Sequence, residues 1–406
     1  MTSHDDEVPV MIVGGSLVGL STSLLLASKG VPSLTVERHP GTAIHPRAAM
    51  FNQRTIEIYR GVGLEAEIVE AADLEFEQDG AIVSVESLAG KELEYYFRNV
   101  NDGYESLSPS PRLFITQIGL EPILRRHADE LGARLEYSTE LVSIDQDENG
   151  VTAVVRSRDT GAERTVRCRL RDRGGREQEP GRERLGIPLR GHPSFSNSIT
   201  DLLPSRRQAA RRRPQPERDL RVRPDAAGIL PLLAGRRRQA SWSSTRRPTP
   251  TAPATATSGR SWTTSAPSRT CARRLGAPEL AVEIENVQQW NACAEWADRF
   301  ADGRIFLAGD AAHNMPPTGG FGATRVWPDG HNLAWKLAQV LDGAAGPGLL
   351  HDVRRGAARP VGEFTTRAGL HALRHAARPR AREGGHPTVR PRPARRAPAT
   401  ATARPP

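Results

Sequence analysis

The chain has few aromatic residues, few lysines, few cysteines and no long apolar run. Aromatic residues make up 5% and hydrophobic residues 37% of the 406 residues, which is low for a large globular enzyme. No apolar run is long enough to span a bilayer, and the polar, acidic residues 1–7 do not resemble a signal peptide. We therefore expect a cytoplasmic protein that makes no membrane contact.

The cysteine content excludes two further classes of protein. Cys168, Cys271 and Cys293 are odd in number and widely spaced. Such a set predicts neither a disulfide framework nor a metal centre, and it fits a reducing compartment.

Arginine supplies nearly all of the positive charge. The net charge is +9 and the isoelectric point about 10.1, but the only lysines are Lys29, Lys91 and Lys336. A basic composition is typical of nucleic-acid-binding proteins. The arginine runs at 211–213 and 236–238, however, lie in stretches without stacking aromatic residues or a recognised reading motif. Nucleic-acid binding is therefore an alternative and not the leading interpretation.

A glycine-rich turn lies between a predicted strand and a predicted helix near the N-terminus. Residues 8–13 form a short apolar run typical of a buried parallel strand. Gly14 and Gly15 predict a sharp turn, and residues 17–29 predict a helix. A second strand is predicted over residues 31–36. This order of elements is typical of a nucleotide site, because the helix start offers N–H groups and a positive dipole end to a pyrophosphate.

Two side chains near this turn refine the prediction. Ser16 stands where the pattern G-x-G-x-x-G has its middle glycine, which makes the approach of a pyrophosphate tighter. Glu37 follows the second strand, at the place where an acid accepts hydrogen bonds from an adenosine ribose. The alternative is an ordinary βα turn of another α/β protein.

The patterned parts of the chain predict an α/β protein. Helices are expected over residues 53–59 and 117–131, and Asn149-Gly150 predicts a hairpin turn between two strands. After residue 275, strands are expected at 282–284 and 305–308, and a helix is expected at 331–341.

Between these parts lie arginine-, proline- and alanine-rich stretches. Residues 169–183 show no apolar periodicity. The composition of residues 201–274 predicts disorder, and residues 351–406 are too rich in arginine, proline and alanine to form a core. One explanation is an enzyme with long disordered insertions, although structureless loops of this length are uncommon inside a compact domain. The other is an out-of-frame reading of a GC-rich coding sequence, which resequencing of the gene would test.

Several motifs together resemble one known family, that of the FAD-dependent aromatic hydroxylases related to para-hydroxybenzoate hydroxylase, and within it the branch acting on polycyclic polyketides. The resemblance covers about residues 1–168, 185–200 and 275–349. The most specific motif is Gly-Asp-Ala-Ala-His at 309–313, followed by Pro-Pro-Thr-Gly-Gly at 316–320. The other motifs are residues 13–20, His45-Pro46-Arg47-Ala48, 53–57, 117–125 and 331–336.

The resemblance implies a fold and a domain division. The fold is α/β, with an FAD-binding Rossmann-like domain of the glutathione-reductase type and an interleaved mixed-sheet substrate domain that is partly disrupted. The FAD-binding domain would comprise residues 1–200 and 275–349, with substrate-domain strands at about 80–115 and 185–200. Residues 201–274 would be a degraded or disordered part of the substrate domain, and residues 350–406 a disordered tail.

The resemblance also implies cofactor-binding residues. Asp310 would accept hydrogen bonds from the ribityl chain, residues 316–322 would pass beside the flavin ring, Arg47 would lie on the pyrophosphate side, and Gln117 at the ribityl or flavin edge. His45 and His313 are interpreted as structural histidines, with a proton-relay role as the alternative. The predicted cofactor-binding residues are Gly14, Gly15, Ser16, Gly19, Glu37, Arg38, Arg47, Gln117, Asp310, Pro317 and Gly320.

Two departures from the family pattern fall in the arginine-rich stretches or beside them. The family has an Asp-Gly motif before Leu185, where this chain has residues 173–176, Arg-Gly-Gly-Arg. It also has Gly-Asn-Thr-Gly after Gly322, where this chain has Ala323-Thr324-Arg325-Val326. Because of both departures, we expect this chain to bind FAD more weakly than members of the family that have these motifs.

The activity implied by the resemblance is flavin-dependent monooxygenation. NADPH would reduce FAD, O2 would form a flavin C4a-hydroperoxide, and one oxygen atom would pass to a phenolic aromatic polyketide in antibiotic or pigment biosynthesis. No side chain is predicted as a catalytic acid or base, and no metal is expected, because the cofactor carries the chemistry. The alternatives are another FAD-dependent oxidoreductase, the nucleic-acid-binding protein considered above and a non-catalytic remnant.

Overall fold

The structure, a computed structural model, describes residues 5–44, 48–85, 91–173, 182–183, 185–204, 218–221, 227–229, 239–246, 286–314, 321–350 and 353. The strand predicted at 282–284 and most of the arginine-rich stretches lie outside these residues.

The main sheet places strands from distant parts of the chain side by side. Its parallel strands follow the order β7 (Arg134–Glu136), β2 (Ser33–Val36), β1 (Asp6–Val13), β10 (Glu163–Arg173) and β17 (Ile305–Leu307). β16 (Ala301–Asp302) pairs antiparallel with β17 at the edge. Because parallel strands point the same way, the residues that follow β1, β2 and β17 lie at one edge of the sheet, where α/β proteins bind ligands.

β10 joins this sheet to an antiparallel layer. It pairs with β9 (Val151–Ser157), which pairs with β8 (Thr139–Gln146). The turn between β8 and β9 is held by Asp147, whose Oδ1 accepts from the N–H groups of Asn149 at 2.8 Å and Gly150 at 2.9 Å. The hairpin turn predicted at Asn149-Gly150 is therefore confirmed.

Three smaller sheets complete the described strands. A five-stranded sheet has the order β13 (Ala227–Ile229), β14 (Gln239–Arg246), β11 (Leu189–Pro204), β15 (Asn286–Ala297) and β18 (His313–Asn314). A three-stranded sheet has the order β12 (Arg218–Arg221), β4 (Ala81–Val85) and β5 (Glu92–Phe97), and a two-stranded sheet pairs β3 (Met50–Phe51) with β6 (Leu113–Phe114).

The strands β12, β13 and β14 correct part of one prediction. They lie inside the range 201–274, for which composition predicts disorder, and they pair with strands of the patterned regions or with one another. Backbone pairing satisfies N–H and C=O groups whatever the side chains are, so an apolar stripe is not required for it. The rest of that range lies outside the described residues, where disorder stays a prediction.

The described residues form five α-helices: α1 (Leu17–Ala27), α2 (Gln53–Arg60), α3 (Glu65–Glu75), α4 (Gln117–Glu130) and α5 (Phe321–Leu341). Within this part of the chain, none is both long and apolar enough to cross a membrane. Short 3-10 turns lie at Tyr104–Ser106, Gly309–Ala311 and Pro347–Leu350.

Side-chain caps explain where two of the helices begin. Asn52 Oδ1 accepts from the N–H of Thr55 at 3.0 Å before α2, and Thr116 Oγ1 accepts from the N–H of Gly119 at 3.1 Å before α4. Such bonds satisfy N–H groups that the first turn of a helix leaves without intrahelical partners. α3 is absent from the sequence prediction, and α5 begins ten residues before the predicted start at His331.

α1 is buried on every side. All residues from Leu17 to Leu26 are buried, whereas a helix at the surface of a protein buries only one face. Leu20 and Leu24 pack in the cluster that contains Leu124 of α4, while Leu25 and Leu26 pack with residues of β1 and α5. The helix that follows the glycine turn therefore lies between the sheet and two other helices.

Removing a large side chain from this core should destabilise the fold. Leu124 is fully buried, whereas Leu131, at the end of the same helix, is 50% exposed. Leu124→Ala leaves a cavity and is expected to lower the free energy of unfolding by about 2–5 kcal/mol, and Leu131→Ala by less than about 1 kcal/mol. Chemical denaturation followed by circular dichroism measures both, and equal effects of the two variants would contradict this packing.

A half-buried histidine should make stability depend on pH. Burial of His331, with Arg54 and Lys29 nearby, lowers the pKa of its imidazole below 6.5. The unfolded chain therefore binds a proton that the folded chain does not bind, and stability falls as the pH drops below about 6.5. Measurements of unfolding between pH 5 and pH 8 should show a smaller decrease for His331→Gln than for the parent chain.

Candidate functional site

The glycine turn after β1 is tied to the second strand. Gly14 has a φ of 111°, and its N–H donates to the carbonyl of Val36 at 2.9 Å. The N–H of Gly15 donates to Glu37 Oε2 at 2.8 Å. Both N–H groups are thus used within the protein. The donors left for an anion are those of the first turn of α1, residues 17–19, because these N–H groups have no acceptor within the helix.

Three glycines allow the backbone to approach α1 closely. A Cβ at Gly19 would lie 1.7 Å from the carbonyl oxygen of Gly14, and one at Gly309 would lie 2.8 Å from Val18 Cγ2. A Cβ at Gly330 would lie 2.8 Å from Thr22 Oγ1. The turn that carries Asp310 therefore rests on the first turn of α1, directly beside the glycine turn. Asp310 itself is exposed in this turn.

Glu37 and Tyr137 both lie close to Gly15. The Glu37 carboxylate also accepts from the N–H of His39 at 2.9 Å. The ring atom Cε1 of Tyr137 lies 3.7 Å from the Cβ position of Gly15, and the Arg125 guanidinium stacks on the Tyr137 ring at 4.1 Å. Burial raises the pKa of the Tyr137 phenol to about 12, so this side chain is neutral at physiological pH.

A buried carboxylate connects Ser16 and Gln117. Ser16 Oγ donates to Glu121 Oε1 at 2.5 Å, and Gln117 Nε2 donates to the same oxygen at 2.6 Å and to Ser16 Oγ at 2.8 Å. The N–H of Ala43 donates to Glu121 Oε2 at 2.6 Å. Sequence reasoning missed Glu121, although its position one helical turn after Gln117, on the apolar side of α4, is a usable signal.

A second, largely buried carboxylate supports the Asp310 turn. Asp329 Oδ2 lies 2.5 Å from His313 Nε2 and accepts from the N–H of Gly309 at 3.2 Å. His313 is buried and its ring stacks on Phe300 at 6.0 Å, which favours the structural role predicted for it. Asp329 was not predicted. Its neighbours Pro328 and Gly330 favour a turn in the sequence, but it lies within α5.

The predicted cofactor residues fall into three groups. Gly14, Gly15, Ser16, Gly19, Glu37 and Gln117 surround the start of α1, and Asp310 follows the Gly309 contact with Val18. Arg38 is exposed beside this site, and its carbonyl accepts from Arg158 at 3.0 Å. Arg47, Pro317 and Gly320, together with His45, lie outside the described residues.

The described residues fit an extended dinucleotide such as FAD. The N–H groups at the start of α1 suit a pyrophosphate, Glu37 suits the hydroxyl groups of a ribose, and Asp310 offers a carboxylate to the hydroxyl groups of a polyol chain. The glycines at 19 and 309 let the two turns lie close to the start of α1. The structure thus brings two carboxylate acceptors and a set of N–H donors to the same edge of the sheet.

Comparison with known proteins gives the same cofactor. A sequence model of the family described as FAD binding domain matches residues 7–367. The chain is 44% identical over 378 residues to 4-methyl-5-nitrocatechol 5-monooxygenase of a Burkholderia species, covering 90% of the chain and 66% of that protein. It is 35% identical over 373 residues to tetracenomycin A2 monooxygenase-dioxygenase of Streptomyces glaucescens, covering 85% of the chain and 64% of that protein.

A solved structure has a similar fold. The crystal structure of aklavinone-11 hydroxylase with FAD and aklavinone superposes with a TM-score of 0.82 at 31% identity, covering 93% of this chain and 71% of that chain. The chain spans less than two thirds of the length of the two curated relatives described above.

Substitution of Gly19 should damage the site through sterics alone. Gly19→Ala places a methyl group against the Gly14 carbonyl, which forces the turn to shift, so both the free energy of unfolding and FAD affinity should fall. Gly346→Ala is the matched control, because a Cβ there meets nothing within 4 Å. The expected loss for Gly19→Ala is about 1–3 kcal/mol, measured by denaturation and by FAD titration. Unchanged values for both variants would show that the turn is loosely packed.

Proposed function

Because the chain belongs to the FAD binding domain family, we propose that it is a flavin-dependent monooxygenase that hydroxylates a phenolic aromatic compound with NADPH and O2. The observation that carries the proposal is the contact between Gly309 and Val18, which brings the Asp310 turn to the glycine turn. A single extended cofactor is the ligand that this arrangement fits. A cytoplasmic location, expected from the sequence, belongs to the same proposal.

The described side chains bind and orient the cofactor in this proposal. The start of α1 holds the pyrophosphate through N–H groups and the helix dipole, and Glu37 accepts from the adenosine ribose. Asp310 accepts from hydroxyl groups of the ribityl chain, which fixes the distance between the two ends of the cofactor. Arg47, Pro317 and Gly320 stay predicted contributors.

The reaction needs little from acid or base side chains. When bound, FAD supplies the transfer of electrons from NADPH to O2 and of one oxygen atom to the ring. The protein's part is to hold the cofactor, exclude water and present the aromatic ring. For this reason we propose no catalytic acid or base.

Two substrate classes have support from the comparisons. A fused-ring polyketide is the leading proposal, because the aklavinone-11 hydroxylase structure contains aklavinone and the Streptomyces relative is named for tetracenomycin A2. A substituted catechol is the second candidate, because the Burkholderia relative named for such a compound shares 44% identity. An activity panel containing both classes, with NADPH oxidation, O2 uptake and hydroxylated product measured together, separates them.

The rival functions predict different results in this panel, in nucleic-acid binding and in FAD uptake. Another FAD-dependent oxidoreductase would consume NADPH or O2 without placing oxygen on the ring. A nucleic-acid-binding protein would bind DNA or RNA with an affinity that falls steeply with salt. A non-catalytic remnant would be colourless and would not take up added FAD.

The cofactor contact of Asp310 provides a direct test. The purified protein should show a visible flavin spectrum and release FAD on denaturation. Asp310→Ala should weaken FAD binding about 10- to 100-fold, because a charge-assisted hydrogen bond is lost. Asp342→Ala, at an exposed aspartate after α5, is the matched control. Fluorescence titration of the apoprotein with FAD measures both, and equal affinities would count against the role of Asp310.

A further inference from the structure

Glu121 is a fully buried carboxylate that three donors approach from three separate segments. The donors are the Ser16 hydroxyl in the glycine turn, the Gln117 amide at the start of α4, and the N–H of Ala43 in the loop after β2. Glu121 has no exposed surface, and a carboxylate is buried at low cost only when its oxygens accept hydrogen bonds. One side chain therefore connects three segments that surround the proposed cofactor site.

The carboxylate fixes which end of the Gln117 amide faces it. The two ends of a glutamine amide differ only in hydrogen-bonding character, and a carboxylate accepts but does not donate. The atom of Gln117 that lies 2.6 Å from Glu121 Oε1 must therefore be the nitrogen. A flipped amide would place two acceptor oxygens against each other.

This orientation uses all of the donors of the two side chains. The Gln117 amide nitrogen has two hydrogens, and it donates to Glu121 and to Ser16 Oγ. Ser16 accepts this bond, so its own hydrogen points to Glu121. What Gln117 and Ser16 have left for a ligand are acceptors: the Gln117 carbonyl oxygen and the remaining lone pair of Ser16 Oγ.

We propose that Glu121 is a positioning residue that makes Ser16 and Gln117 a hydrogen-bond acceptor pair for a hydroxyl group of the cofactor's ribityl chain. A phosphate oxygen is itself an acceptor, so it does not suit this pair, and it is served instead by the N–H groups at the start of α1. The inference rests on the proposed function for its ligand. It deepens that proposal by assigning the serine in the glycine pattern to the polyol and not to the pyrophosphate.

The test compares two ligands that share the adenosine diphosphate group. FAD contains the ribityl chain and ADP does not. Glu121→Gln keeps the size of the side chain but introduces an amide donor, which allows the Gln117 amide to turn. We expect FAD affinity to fall about 10- to 100-fold, while ADP affinity changes less than about 3-fold. Glu130→Gln, an exposed glutamate near the end of the same helix, is the matched control and should change neither affinity.

A double-mutant cycle separates positioning from general support. If Glu121 acts through Gln117, then Glu121→Gln should weaken FAD binding much less in a Gln117→Leu background than in the parent chain. Equal losses of FAD and ADP affinity, or additive effects in the cycle, would overturn the proposal. If Glu121→Gln does not fold by circular dichroism, Ser16→Ala takes its place, with the expectation that FAD affinity falls and ADP affinity stays the same.

The outcomes distinguish this inference from the proposed function. A parent chain that binds FAD together with a Glu121→Gln variant that binds it equally well would overturn only the role of Glu121. A parent chain from a verified gene that takes up no FAD would overturn the proposed function and this inference with it. Hydrogen exchange of the Ala43 N–H in the apoprotein gives a readout independent of the cofactor, and exchange should be faster in Glu121→Gln.

Discussion

The close approach of backbone to α1 is the constraint on which the rest of the site depends. Gly19 permits the turn before the helix, while Gly309 and Gly330 permit contact from segments at the far end of the chain. Any side chain at Gly19 or Gly309 would meet an atom closer than van der Waals contact allows. The motif at residues 13–20 and the motif at residues 309–313 form one site because both pack closely on this helix.

Buried carboxylates hold the loops that this packing brings together. Glu121 connects the glycine turn, the loop at Ala43 and the start of α4, and Asp329 connects Gly309 with His313. Loops have few backbone partners of their own, so a fixed acceptor that receives several donors gives them a defined position. Both carboxylates bond only to groups of the protein in these contacts.

The sequence predicts well where local chemistry and burial agree. The apolar run of β1, the glycine turn and the Asn149-Gly150 hairpin follow from turn chemistry and periodicity, and the family resemblance provided the fold class. α3 escaped prediction because only Ile68, Ala72 and Glu75 of its residues are buried, which leaves little periodic signal. Glu121 and Asp329 escaped because an acidic residue on a helix usually faces water, and only tertiary contacts show otherwise. The strands within 201–246 escaped because they are defined by backbone pairing.

β17 and α5 contribute to a site whose other half, β1 and α1, is made much earlier during translation. Until the ribosome has added the intervening residues, the faces of α1 that later contact Gly309 and α5 lack these two partners. Closing contacts between such distant segments is entropically expensive and slow. One face of α1 therefore lacks its packing partners until late in synthesis, and the cofactor can stabilise the complete fold only after the last of these segments has been made.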